Sequence, residues 1–273
     1  MRALVLGGGG ITGIAWELGL LSGLRRHGTD LAKADLIVGT SAGAYVGALL
    51  ATGVDIDDAA DAAARIEIEF TARIDPMLVA QGFMLLNDTT LSPRDLRARL
   101  GTLARQAPVG DDGPHVARFA GQLPAHDWPT VPRLIITAVD TTTGDPAAWD
   151  ATSAVPLPAA VAASCALPGV FPPVRIEESW YMDGGVHSVT HADLAAGADA
   201  VVVLAPSGGM FRASPASEIA GLGIDRSLLI APDDATRAAI GGNILDARRR
   251  GPVLRAGAAQ AEHVAAAVAG VWA

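Results

Sequence analysis

Apolar residues fall along this chain in two rhythms. Short unbroken runs, RALVLG at 2–7, DLIVG at 35–39, PRLIITAVD at 132–140, VVVLAP at 201–206 and SLLIAP at 227–232, have the length and composition of strands buried on both faces. Between the first two, Ile14, Leu18, Leu21 and Leu24 recur at helical spacing. Arg25, Arg26 and His27 occupy the last turn of that helix, and Gly28 follows as its cap. DLIVG runs straight into TSAGAYVGALLATG, an Ala- and Leu-rich helix closed by Gly53. From Asp55 to about Gln122 the pattern changes to charged helices, DIDDAADAAARIEIEF and then SPRDLRARLGTLARQ, with Ser92 as N-cap and Pro93 in the first turn. TTTGDPAAWD reads as a turn leading into a short edge strand, VRIEE and SWYMD as further strands, and an Ala-rich helix starts near Pro252. Strands alternating with helices predict a layered α/β fold with a helical insertion at about 55–122.

Bulk properties narrow the reading. The 273 residues suit one domain, and with 50% apolar and 18% charged residues the chain has a large interior to bury. A net charge of −9 argues against nucleic acid and against docking on an anionic membrane by charge. Lys33 is the only lysine, which excludes a P-loop, because that motif needs Lys directly after its last glycine. Cys165 is the only cysteine, so no disulfide framework exists and a reducing, cytoplasmic setting is expected. Its neighbours in AASCALPG predict a buried, inert thiol. The ALVL opening is too short for a signal-peptide apolar region. Two uncharged stretches, 36–54 and 154–174, approach membrane-spanning length. The first is cut by Gly39, Thr40, Ser41 and Gly43 and the second by five prolines, so both read as buried core.

Three short segments carry candidate chemistry: GGGITG at 8–13, GTSAG at 39–43 and DGG at 183–185. The first matches a dinucleotide fingerprint in its strand–glycine–helix context, but that function needs an acidic residue at the end of the second strand, where Val38-Gly39-Thr40-Ser41 stands instead. The second has the strand–turn–helix context of a nucleophile elbow: Gly39 and Gly43 let the turn fold sharply and lift Ser41 to the strand end, before a helix N-terminus. An N-cap serine is the plainer alternative. No histidine is placed to complete a triad. His27 lies at a helix end, His115 and His126 in the insertion, and His263 on a tail helix. His187 and His191 have metal-ligand spacing but lack the glutamate of a zinc-protease helix. The base must then be a carboxylate, and Asp183, at a strand end before two glycines, is the best-placed one. It must be desolvated and in hydrogen-bond contact to act. A simple DG turn is the alternative.

Taken together and in this order, the three segments, with ASCALPGVFPPVRI leading into YMDGGV, resemble the patatin-like phospholipase family over about residues 3–205. The resemblance implies a three-layer α/β/α fold with a mostly parallel central sheet, a catalytic core at about 3–205 and a C-terminal extension at about 206–273. It implies Ser41 as nucleophile, Asp183 as base without histidine, and the amides of Gly8, Gly9 and Gly10 as oxyanion hole, acting on a lipid or other acyl ester with no metal or organic cofactor. Many members carry Lys or Arg just before the last glycine of the first motif, where this chain has Thr12. A lipid substrate would need an apolar trench, for which the insertion offers Ile66, Ile68, Phe70, Met77, Phe83, Met84 and Leu85. Peripheral membrane contact is expected of a lipid hydrolase, although no basic amphipathic helix supports it. A catalytically inactive lipid-binding relative and a nucleotide-binding protein are the competing classes.

Overall fold

The five apolar runs become the parallel strands of one sheet. The computed structural model describes residues 1–65, 81–82, 84–85, 88–208 and 214–273. Strands β1 (Arg2–Leu6), β2 (Leu36–Gly39), β3 (Arg133–Asp140), β7 (Ala200–Leu204) and β8 (Ser227–Ile230) pair in parallel in the order β3-β2-β1-β7-β8. Three antiparallel strands complete it: β4 (Pro146–Trp149) on β3, and the hairpin β5 (Val174–Ile176) and β6 (Ser179–Asp183), of which β6 pairs with β3.

One register feature positions the site. β2 pairs with β3 only as far as Gly39 opposite Ile136, whereas β6 pairs with β3 from Asp183 opposite Ala138. β4 occupies β3 at Ile136 to Val139. Each strand has only two hydrogen-bonding edges, so β2 and β6 follow one another along the remaining edge of β3. Residue 183 therefore arrives just past the end of β2, although 142 residues separate it from Ser41 in the chain.

Side-chain alternation divides the core. Leu4 and Leu6 of β1 point into the larger apolar cluster, and Ala3 and Val5 into a smaller one on the opposite face. Over the larger cluster lie α1 (Gly10–Arg26), α2 (Ala42–Ala51), α3 (Ile56–Arg65), α6 (Leu157–Ser164) and α9 (Arg250–Trp272). The opposite face is covered by the 3-10 turn Ala192–Ala195 and by α7 (Pro215–Gly221) with Ile219 and Leu222. In the insertion stand α4 (Pro93–Gln106), whose N-cap Ser92 accepts from the amide of Asp95, and α5 (Asp112–Gln122). A short helix, α8 (Asp234–Ile240), precedes α9. Among the described residues no helix is long and apolar enough to cross a membrane. The two uncharged stretches are instead β2–α2 and the α6 segment leading to β5.

Residues 206–273, expected as an extension, are integral to the sheet and its cover. β8 extends the sheet beside β7, and α9 lies against α1. Buried Gln260 accepts from Trp16 Nε1 at 2.8 Å and donates to the carbonyl of Ala231 at 2.7 Å. The contact is close because small residues face it: a Cβ on Gly19 would lie 2.2 Å from the Leu254 carbonyl oxygen, and one on Gly257 2.7 Å from that of Trp16. Of the insertion residues proposed as trench, Ile66, Ile68, Phe70, Met77 and Phe83 lie outside the described residues. Met84 is 74% exposed, and Leu85 packs with Leu96, Leu100, Val139 and Met182.

Gly19→Ala should therefore destabilise the fold by about 1–3 kcal/mol through overpacking. Gly270→Ala, near the end of α9 where a Cβ meets nothing within 4 Å, should be neutral or stabilise by up to ~1 kcal/mol. Urea denaturation of the two variants measures the difference.

Candidate active site

Only Thr40 and Ser41 separate β2 from α2, so the chain must reverse sharply. Ser41 absorbs the turn with φ 54° and ψ −115°, a conformation costing a non-glycine residue about 1–3 kcal/mol. Both flanking glycines are demanded by contact. A Cβ on Gly43 would lie 2.1 Å from the Leu6 carbonyl oxygen, and one on Gly39 2.6 Å from that of Gly43. The strained residue is held at both backbone groups from the end of α6: its N–H donates to Ser164 Oγ at 2.8 Å, and its carbonyl accepts from Cys165 Sγ at 3.1 Å.

The Ser41 hydroxyl donates to Asp183 Oδ2 at 2.7 Å. The second carboxylate oxygen accepts from the amide of Gly185 at 2.8 Å. Gly184 lets β6 turn against β3, since a Cβ there would meet Thr137 Oγ1 at 2.5 Å. Asp183 is 4% exposed, and burial raises its pKa to about 6 against the pull of its two hydrogen bonds. Among the described residues no cation touches it. This buried carboxylate can accept a proton near neutral pH, and the hydroxyl beside it can give one.

None of the hydrogen bonds of Ser41 or Asp183 reaches a histidine. His27, His126 and His263 are exposed. Buried His115 bonds the Ala162 carbonyl. His191 lies under the elbow, with Nδ1 3.2 Å from Thr40 Oγ1, which is itself 2.8 Å from Thr137 Oγ1. The His187 ring stands 5.2 Å from that of His191, and among the described residues no group of three His, Cys, Asp or Glu gathers to hold a metal.

The glycine loop joins β1 to α1, and its three expected donors are not equivalent. The Gly8 amide donates to the Val189 carbonyl at 2.8 Å, which corrects its inclusion among free donors. The amides of Gly9 and Gly10 have no acceptor among the described residues, and they stand at the uncapped N-terminus of α1. A Cβ on Gly8 would lie 3.4 Å from Ser41 Cβ, an ordinary van der Waals contact, so the loop passes directly beside the elbow. Gly10 has φ +61°. Thr12, just before the last glycine of the first motif, is fully buried and donates to the Ile244 carbonyl at 3.2 Å.

Ser41, Asp183 and Gly8 to Gly10 open onto a cavity of about 730 Å³. Its walls are largely apolar, with Leu18, Tyr45, Leu49, Phe119, Leu167 and Phe171 among them. This volume suits an acyl chain. The sequence missed two parts of this arrangement. Cys165, expected as plain core, touches the elbow through its thiol, which burial pushes toward the neutral form. Arg118 reaches the cavity from the insertion. Arg118 stands in no quoted segment, Cys165 stands in ASCALPGVFPPVRI with nothing there to mark a role for it, and the folded geometry brings both to the site.

A family model described as patatin-like phospholipase matches residues 4–196. No curated protein matches the chain by sequence. Among solved structures, VipD from Legionella pneumophila is similar with a TM-score of 0.51 at 14% identity, over 97% of this chain and 66% of that one. The type III effector protein ExoU aligns with a TM-score of 0.47 at 17% identity, over 99% of this chain and 53% of its own. The chain thus spans less than two thirds of either, and the first likeness concerns the fold.

The raised pKa of Asp183 is also a statement about stability. The folded state holds this proton up to about pH 6, whereas an unfolded aspartate releases it near 4. Between those values the folded state binds more protons, so this contribution to stability falls as pH rises, and the full cost is present above pH 6. Asp183→Asn should raise stability at pH 7 by on the order of 2–3 kcal/mol and flatten the dependence between pH 4 and 6. Denaturation midpoints across that range check it.

Proposed function

Because the chain belongs to the patatin-like phospholipase family, we propose that it is a serine acyl hydrolase that cleaves carboxylic ester bonds of lipids. The observation that carries this reading is the 2.7 Å hydrogen bond from Ser41 Oγ to a buried carboxylate that pairs with no cation among the described residues. Asp183 takes the Ser41 proton as Oγ attacks the acyl carbonyl carbon. The carbonyl electron pair moves onto oxygen, and the free amides of Gly9 and Gly10 donate to the resulting oxyanion. Each such donor is worth about 3–4 kcal/mol in comparable sites, because it is oriented before charge develops.

The tetrahedral intermediate collapses, the carbon–oxygen bond to the alcohol breaks, and the alcohol leaves with the proton from Asp183. A water then gives its proton to Asp183 and attacks the acyl-serine. Collapse returns the proton to Ser41 and releases a free fatty acid. Burial suits Asp183 to both roles, since a pKa of about 6 leaves it ionised at neutral pH yet basic enough to share the serine proton. The N-terminus of α2, directly after Ser41, favours the negative charge that develops at Oγ. The acyl chain occupies the apolar cavity, and no cofactor enters either step. The lipid is reached by peripheral contact.

A fluorophosphonate probe should label the peptide containing Ser41 and nothing else in the chain, and Ser41→Ala should lose the label. Ester turnover should fall about a thousandfold or more in that variant. A folded wild type that takes no label and hydrolyses no lipid ester would leave only the lipid-binding class. In the active protein, kcat/KM should rise with pH through a single ionisation near 6 and then level, as Asp183 loses its proton.

A further inference from the structure

Apart from Glu177 in the β5–β6 hairpin, two non-glycine residues among those described hold a positive φ: Ser41 at the elbow and His191, with φ 50° and ψ 43°. A β-carbon disfavours this left-handed region, so each needs surroundings that keep it there. The backbone of His191 is held without help from its ring. Its N–H donates to Ser188 Oγ at 2.8 Å, its carbonyl accepts from the amide of Leu194 at 3.1 Å, and the Ser188 hydroxyl is tied to Glu218 on α7. The imidazole is left for another task, yet it is 3% exposed and bonds neither Ser41 nor Asp183.

What the ring does bond is the residue before the nucleophile. Fully buried Thr40 has Oγ1 at 3.2 Å from His191 Nδ1 and at 2.8 Å from Thr137 Oγ1, and Thr137 Oγ1 stands 3.5 Å from the Gly39 carbonyl at the end of β2. Burial, reinforced by the neighbouring His187 ring and Arg97, lowers the His191 pKa to about 3, so the ring is neutral and only one of its nitrogens carries hydrogen. With that hydrogen on Nδ1, every donor in the row finds an acceptor: Nδ1–H gives to Thr40, Thr40 to Thr137 and Thr137 to the Gly39 carbonyl. Only the lone pair of Nε2 is then left over, and Nε2 indeed has no partner among the described residues. The opposite order would bury an N–H without an acceptor and give up the bond to Gly39, which is the costlier arrangement.

Resting on the hydrolase reading, we propose that His191 is a positioning residue of the reaction. Its Nδ1–H, acting through Thr40 and Thr137, ties the two residues before Ser41 to β3 and so keeps Oγ aimed at the acyl carbon and in contact with Asp183. The elbow is therefore held twice, at the backbone of Ser41 from the end of α6 and at the side chain of Thr40 from the turn after the DGG segment. His191, Thr40 and Thr137 stand outside the cavity walls, so this device acts on the attack and not on the binding of the acyl chain.

The test measures kcat and KM on p-nitrophenyl octanoate, and the rate of fluorophosphonate labelling, in wild type, His191→Gly, His191→Asn, Thr40→Val and the double variant His191→Gly/Thr40→Val. Glycine accepts the left-handed backbone and removes only the ring, whereas asparagine tolerates that backbone and keeps a side-chain N–H near the place of Nδ1. His191→Gly and Thr40→Val should each lower kcat and the labelling rate about tenfold or more at nearly unchanged KM. The double variant should be no slower than the slower single one, because both cut the same link. His191→Asn should recover most of the rate. A wild-type kcat in either folded single variant would overturn the proposal, even where urea denaturation shows lost stability, since the ring would then only fill space. Losses that multiply in the double variant, or an asparagine variant as slow as the glycine one, would overturn it equally. Thr40→Val leaves the turn untouched, so it decides the matter should His191→Gly not fold. In the imidazole 15N spectrum of the wild type, a proton on Nε2 instead of Nδ1 would reverse the row of donors and sink the argument. A wild type that neither turns over the ester nor takes the label would instead remove the hydrolase reading on which this one rests.

Discussion

A carboxylate buried beside a hydroxyl, with no cation among the described residues to steady it, is the constraint around which this structure is arranged. Asp183 is shielded from water on the β3 side, where Gly184 allows close approach to Thr137, and it is fixed by the Gly185 amide. Ser41 can meet it only because β2 stops two residue positions short of where β6 begins along β3. Were β2 longer, its own backbone would fill the place that the carboxylate occupies. Burial and strain at these two residues both work against stability, and the large apolar interior offsets them.

The turn after Asp183 reaches further than the dyad. Val189 takes the Gly8 amide, and His191 supports Thr40 just before the elbow. Glu218 on α7 ties this turn down through the hydroxyls of Ser188 and Thr190 and the amide of Ala192. The DGG segment, the elbow and the glycine loop are thus one hydrogen-bonded assembly. Engaging the Gly8 amide has a sorting effect, because it leaves the donors of Gly9 and Gly10 as those without an acceptor.

Much of this was legible in the sequence because the physics there is local. Strand runs, the helix after the glycine loop, the Ser92 cap and the glycines flanking Ser41 follow from periodicity, capping and steric need. What stayed hidden depends on partners distant in sequence. Gly8 reads like Gly9 until Val189 arrives, and Cys165 reads as core until α6 ends against the elbow. Helix α6 itself is masked by its prolines, and residues 206–273 look peripheral because Ala and Gly carry the α9 contact with little apolar pattern. Arg118 is one arginine among many until the fold brings it to the cavity wall.

The closeness of α1 and α9 has a consequence for how the molecule is made. α1 carries the amide of Gly10 at its first turn, and its buried face includes Trp16, Leu20 and Gly23, yet the surface that covers much of it belongs to the last helix of the fold. During synthesis the ribosome delivers the glycine loop long before its cover. The elbow and the carboxylate can emerge and even meet while α1 still lacks its neighbour. A nascent chain therefore holds every motif of the site well before it holds the site, and for that interval the apolar face of α1 is in the keeping of whatever else binds exposed hydrophobic surface.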